Sequence, residues 1–440
     1  MRRLLVLTCA LATALVAPQA SANGRFPASN GVIFSPVDDG EVFVRVTFGL
    51  LVSRDHARSW RWICERAIGF SGFEDPSYVV TKSGAIVVGL FDSLRVSRDG
   101  GCTWDTIVTD ARVFIDLTER PDGAIIALSS SYDHHTDAGS TYRSQLFLST
   151  DDARTFAPLG ARLDPTLLAE SVEVAPSRPD RIYISAVRGA DSNRKGVMVV
   201  SDDSGKHWSE RALDLAPKEL APFIAAVDAR RPDRLFVRTS ASPESPTRLL
   251  VSDDGAKTYR KLLDAKGPLL GFALAPDGAS LHVGGPDDGL LGGRIDAPAL
   301  TKASALKVQC LAQRGDTLWA CSNEANGFVA GTASASSASS AGGPFTARLH
   351  LKDIGGAMEC PRGSAVAKEC ETEWVKMRSD LGLDDLSGDA GPSDAGPRGA
   401  ALETGRDPDS LTRSRATWAL AGVAILGAAA LLVRSRRGKR

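Results

Sequence analysis

Ser53-Arg-Asp55-His-Ala-Arg-Ser-Trp60 aligns without gaps to four other stretches. They are Ser97-Arg-Asp99-Gly-Gly-Cys-Thr-Trp104, Ser149-Thr-Asp151-Asp-Ala-Arg-Thr-Phe156, Ser201-Asp-Asp203-Ser-Gly-Lys-His-Trp208 and Ser252-Asp-Asp254-Gly-Ala-Lys-Thr-Tyr259. Their starts at 53, 97, 149, 201 and 252 are spaced by 44, 52, 52 and 51 residues. Spacing of that size and regularity marks a repeat architecture, in which each unit buries its apolar face against the next. The shared pattern is Ser-x-Asp-x-Gly-x-Thr-Trp. Ser and Asp side chains bond the backbone of a tight turn, the Gly position relieves steric limits, and the aromatic packs beneath.

The pattern resembles the Asp-box, or BNR, repeat of sialidase-type β-propellers, over about residues 31 to 351. That resemblance implies a box closing the hairpin between the third and fourth strands of each blade, with a structural and not a catalytic role. A second periodic mark counts the blades. Turn signals fall at Asp38-Asp39-Gly40, Ser83-Gly84, Pro121-Asp122-Gly123, Pro179-Asp180, Pro232-Asp233, Pro276-Asp277-Gly278 and Arg314-Gly315-Asp316, between β-rich runs. The expected fold is therefore an all-β propeller of seven blades, or six, because the last two blades lack boxes near Gly292 and Gly331. Ser/Ala-rich Thr332–Ala341 reads as a flexible loop inside blade seven.

Met1-Arg2-Arg3, the run Leu4–Ala17 and Ala20-Ser21-Ala22 make a secretory signal peptide over 1–22. At the other end, 416–433 is an uncharged eighteen-residue run before the basic tail 434–440. It reads as a transmembrane helix or a processed sorting signal, with the body outside the cytoplasm. Between them lie the propeller (23–351), a Cys-containing cap (352–383) and a Gly/Asp/Pro linker (384–415). The net charge is −1, from 52 basic and 53 acidic residues. Without the seven basic residues of the two ends, 45 basic face 53 acidic ones. Nothing there neutralises a phosphate backbone, so nucleic acid is excluded as a partner. A monomer is expected.

Once Cys9 leaves with the signal, six cysteines remain, an even number in an exported chain. If Gly315-Asp316 is a two-residue hairpin turn, Cys310 and Cys321 face each other across it. Closeness in sequence pairs Cys360 with Cys370, and elimination pairs Cys64 with Cys102. No C-x₂-C spacing supports a zinc site, and neither metal nor cofactor is expected.

Alternating strands place the Pro-Asp-Gly turns and the boxes on one face. The turn-to-box separation is 13 residues in blades one and two, but 26, 21 and 19 in blades three to five. The added residues sit on the opposite face of three adjacent blades, where binding loops on a rigid scaffold belong. Candidate ligand-binding residues are Tyr132, Asp133, His134, His135 and Asp137 of blade three, and Arg188, Asp191, Arg194 and Lys195 of blade four. Glu74 and Asp75 are placed near the same rim.

The resemblance to sialidases implies an arginine triad, a Tyr/Glu nucleophile pair and an Asp acid/base. The Arg25-Phe26-Pro27 echo is faint, and none of the tyrosines (78, 132, 142, 183, 259) falls in the last two blades. No catalytic residue is therefore assigned. Gly24-Arg25-Phe26-Pro27, Trp62-Ile63-Cys64-Glu65 and Cys360-Pro361 also look like exported Asp-box propellers of Gram-negative bacteria. The reading is a membrane-tethered binding module for glycan or protein, leaning away from an enzyme. The alternatives are a degenerate sialidase-like glycoside hydrolase and an envelope assembly factor like those of photosynthetic membranes.

Overall fold

The computed structural model describes residues 27–381 and 383, apart from 72–73, 137–138, 190–192, 242–245, 325–334 and 340–342. Seven antiparallel four-stranded sheets follow one another, each built from consecutive strands, and the first gains a fifth. Their innermost strands are Ser29–Phe34, Ser77–Val80, Phe114–Glu119, Leu167–Val174, Glu219–Val227, Gly271–Leu274 and Cys310–Arg314. Each packs beside the next, and the seventh returns to the first, so they ring a central channel. The chain is a seven-bladed β-propeller; six blades are excluded. Apolar side chains of neighbouring blades fill the space between sheets, as where Phe236 of blade five meets Phe272 of blade six at 5.2 Å.

Blade seven corrects one expectation. Ala335–Ser339, from the Ser/Ala-rich stretch, is its third strand and pairs with Thr317–Cys321 and Thr346–Leu349. The side chains of 335–338 are buried. Strand preference is largely a matter of fitting a pleated, half-buried surface, and small residues fit here despite low intrinsic propensity. The flanks of that stretch, 332–334 and 340–341, lie outside the described residues.

All five eight-residue motifs span the turn between third and fourth strands. In each the Ser hydroxyl donates to the Asp carboxylate at 2.8–2.9 Å. The same hydroxyl accepts the N–H four residues on, at 2.7–2.9 Å. The carboxylate accepts the N–H four residues beyond itself, at 2.9 Å in every copy. Two consecutive residues are left-handed, including His56-Ala57 and Asp152-Ala153, so these bonds hold a conformation that elsewhere needs glycine. Partial desolvation would raise the carboxyls of Asp55, Asp151 and Asp254, but the hydrogen bonds outweigh it and hold them at about 2. The aromatics Trp60, Trp104, Phe156, Trp208 and Tyr259 close the motifs. Trp60 is fully buried and its indole N–H donates to the Arg348 carbonyl of blade seven at 2.8 Å.

The turn signals lie beside the motifs, as expected: the N–H groups of His56, Ser204 and Gly255 donate to the carbonyls of Gly40, Asp180 and Asp233. Arginines on this face stitch blade to blade. Arg54 reaches the Gly100 carbonyl at 2.8 Å and Arg98 that of Asp152 at 3.0 Å. Arg181 is shared between Asp202 and Asp233. These bonds on the motif face help to hold the ring together.

Past blade seven, Leu351–Asp353 forms a 3₁₀ turn and Ile354–Ala357 pairs parallel to Trp60–Cys64, the outer strand of blade one. Helix α1 (Glu65–Ile68) follows that outer strand, and helix α2 (Ala365–Asp380), capped by the Ser364 hydroxyl, packs against both. Trp374 meets Trp62 at 5.7 Å. Two of the expected disulfides are corrected here. Cys64 is bonded to Cys370 and Cys102 to Cys360, while Cys310–Cys321 is found as a cross-strand pair with Cα atoms 4.8 Å apart. Cys360 precedes α2 at the blade-two turn and Cys370 lies within the helix against blade one. Their sequence proximity therefore does not bring them together. Among the described residues no helix is long and apolar enough to cross a membrane. The stretches read as signal peptide (1–22) and linker (384–415), and the apolar run 416–433, lie outside them.

Candidate functional site: the channel mouth and the blade-three hairpin

The extended connections of blades three to five stand opposite the motif turns. In blade three they are no loop: strands Ile125–Thr136 and Gly139–Ser149 continue into a two-stranded ribbon. Tyr132 pairs with Tyr142, the rings 6.3 Å apart and edge-on, and Tyr132 stays 44% exposed. Asp133 bonds Arg143 at 2.9 Å and His134 at 3.1 Å. His134 also meets the Thr141 hydroxyl and His135 the Ser140 hydroxyl. The two imidazoles thus serve the ribbon itself. Among the described residues no cluster of three metal-ligating side chains forms.

Blade four divides its candidates. Arg188 forms a bidentate pair with Glu210 at 2.8 and 2.9 Å and also bonds Thr166, so it braces its own sheet. Lys195 is an exposed strand-end residue opposite Arg188. Arg194 acts on the channel, where its charge opposes the rise in the Glu170 pKa. Asp137 and Asp191 lie outside the described residues. Glu74 and Asp75 do reach the rim: Glu74 accepts the Phe91 N–H at 2.9 Å and Asp75 the Asn30 amide at 2.6 Å.

The channel holds residues that the sequence reading did not single out. Asp116, on the innermost strand of blade three, accepts the Val172 N–H of blade four at 2.9 Å and the Ser77 hydroxyl of blade two at 3.2 Å. It joins three blades. Burial pushes its carboxyl up to about 6 against those bonds and the charge of Arg45. Glu173, bonded to the Thr118 hydroxyl at 3.0 Å, is pushed up to about 8 by burial and then by Asp116. Burial lifts Glu170 to about 7. Arg238 donates to the Leu269 and Leu270 carbonyls at 2.7 and 3.1 Å. Burial and the nearby Arg45 both disfavour its charge.

Arg45 is the outlier. It belongs to the second strand of blade one and crosses the innermost strand over Gly31, where an added Cβ would lie 2.9 Å from its Cδ. Its guanidinium is 6.0 Å from the Tyr78 ring centre, and it makes no hydrogen bond or ion pair with a described residue. Asp116 supplies negative charge to both arginines, but the Arg45 guanidinium keeps donors that no described residue takes and that an entering anion could use. The Tyr78 hydroxyl is buried without a hydrogen-bond partner among the described residues, and burial raises its pKa.

No protein-family model matches the sequence, and no curated protein matches it. Solved structures do. Hydrazine synthase of Kuenenia stuttgartiensis is 12% identical, covering 70% of this chain and 97% of its own, with a TM-score of 0.50. The GH74 enzyme of Niastella koreensis is 12% identical over 72% of this chain, at a TM-score of 0.42, and this chain covers 65% of it. A Dyadobacter fermentans protein of unknown function is 13% identical over 62% of this chain and 93% of its own, with a TM-score of 0.40. Likeness at such identities shows the propeller and nothing finer.

Proposed function

We propose that the chain is an exported, membrane-tethered and non-catalytic binding module of the cell envelope. Its Asp-box turns serve as scaffold, and its ligand, a glycan or protein bearing an anionic group, enters by the face of the extended hairpins. The observation that carries this reading is the unspent guanidinium of Arg45 beside Arg238 in the channel. Three disulfides support an oxidising compartment. A monomer suffices, since one ring encloses the site.

The test is a glycan array beside a fluorogenic glycoside panel on the purified chain. Binding of acidic glycans without turnover, weakened at least ~10-fold by Arg45→Gln, is expected. Turnover abolished by Glu173→Gln would overturn the non-catalytic reading, and binding indifferent to Arg45→Gln would overturn the site.

A further inference from the structure

A second surface on the hairpin face is carried by different observations from those at the channel. Three segments converge between blades two and three: the Leu90–Ser93 connection, Arg112-Val113, and the second strand of blade three beyond Ser129. The Phe91 N–H donates to Glu74 at 2.9 Å and its carbonyl accepts the Val113 N–H at 3.1 Å. The Val113 carbonyl accepts the Ser130 N–H at 3.1 Å, and the Arg112 carbonyl accepts the Ser129 hydroxyl at 2.7 Å. Val113 itself sits at φ 61°, a left-handed conformation that a β-branched residue rarely adopts. Such strain persists only where the surroundings over-determine the backbone, and bonds on both its N–H and its carbonyl do that here.

On this rigid seam, large side chains are left outside. Phe91 is 40% and Tyr132 44% exposed, and Tyr142 buttresses Tyr132 while its own N–H is fixed to the Pro165 carbonyl at 2.7 Å. Arg112 is exposed, and its guanidinium has no hydrogen bond or ion pair with a described residue. The nearby acids have partners of their own: Glu74 accepts the Phe91 N–H, Asp92 the Ser93 hydroxyl, Asp110 faces Arg162 and Asp133 pairs with Arg143. We infer that Phe91, Arg112 and Tyr132 form a docking patch for a protein segment carrying an apolar side chain next to a carboxylate. Aromatic rings and arginine dominate protein interfaces, and a preordered backbone loses little entropy on binding. The unpaired Arg112 supplies the charge complementarity that selects the carboxylate.

The experiment selects short random display peptides on the purified full chain and measures the enriched ones by calorimetry. Enriched peptides are expected to carry Asp or Glu beside an aromatic or aliphatic residue. Phe91→Ala and Tyr132→Ala should each weaken them by ~10-fold or more with unchanged melting temperature. Arg112→Gln should remove the preference for the acid. Lys257→Ala on the motif face and Arg45→Gln in the channel should leave peptide affinity unchanged. No enrichment, or enriched peptides indifferent to the three patch variants, would overturn the assignment. So would an oligosaccharide that displaces the peptides and is lost in the same variants. Glycan binding lost in Arg45→Gln with peptide binding intact separates this patch from the channel reading.

Discussion

Removing one of the two bridges between the C-terminal segment and the first blades should cost much less than removing both. The sizes follow from the chain lengths they close. Cys64–Cys370 spans 306 residues and Cys102–Cys360 spans 258. The chain-entropy relation gives either one alone a stabilisation of about 5.6 kcal/mol through the unfolded state. With one bridge intact, the other closes only the ring set by the difference of the two separations, 48 residues, worth about 4 kcal/mol. The variant Cys102→Ala/Cys360→Ala should therefore lose about 4 kcal/mol, and the variant lacking all four cysteines about 10 kcal/mol. Guanidinium unfolding of the oxidised proteins, with peptide mapping of the remaining bridge, reads both numbers. A two-cysteine variant within ~1 kcal/mol of wild type, or one as unstable as the four-cysteine variant, would refute nested closure.

Three further outcomes follow from the packing. Glu173 titrates higher in the fold than unfolded, so its protonated form favours the native state. That advantage is complete at low pH and is lost as pH rises from about 4 towards 8. Glu173→Gln should thus gain melting temperature over wild type between those limits, and an equal difference at pH 4 and pH 8 would contradict it. Asp151→Ala removes a carboxylate that accepts four hydrogen bonds. It should cost about 2–4 kcal/mol near neutrality, a deficit that shrinks as pH falls towards 2, where the wild-type carboxyl protonates, with hairpin-face binding unchanged. Gly160→Ala places a Cβ 2.0 Å from the Gly205 carbonyl at φ 65°, and should lower stability by about 2–4 kcal/mol in chemical unfolding.

The features visible in the sequence are those set by local backbone demands. The Ser53–Trp60 pattern and its four relatives declare turns whose hydrogen bonds lie within eight residues. The Cys310–Cys321 pairing follows from a two-residue hairpin and nothing more distant. Three-dimensional closure hid the rest. Cys64 and Cys370 meet because the segment after blade seven crosses back to blade one, a route with no local mark. Asp116 and Glu173 read as ordinary polar positions in Phe114–Glu119 and Leu167–Val174. Only the ring turns them inward, where Asp116 meets the charge of Arg45 from a second strand. Acids within otherwise apolar innermost strands, Asp116 in FIDLTE and Glu170 and Glu173 in LLAESVEV, were the available signal. His134 and His135 carried more chemical suggestion but are spent on their own ribbon.

The parallel strand Ile354–Ala357 also fixes an order of events. Every blade consists of consecutive strands, so each can form as the chain emerges, yet the outer edge of blade one must wait for a segment that follows blade seven. Until then Trp60–Cys64 is an open sheet edge, the kind of surface that recruits other chains. During that interval Cys64 and Cys102 have emerged and their native partners have not. A bridge between those two neighbours in sequence can therefore form before either native one, and it takes both cysteines from their native partners. Correct assembly requires that the thiols stay reduced until residue 370 arrives, or that thiol–disulfide exchange undoes the early bond. For this ring, the timing of oxidation is part of folding.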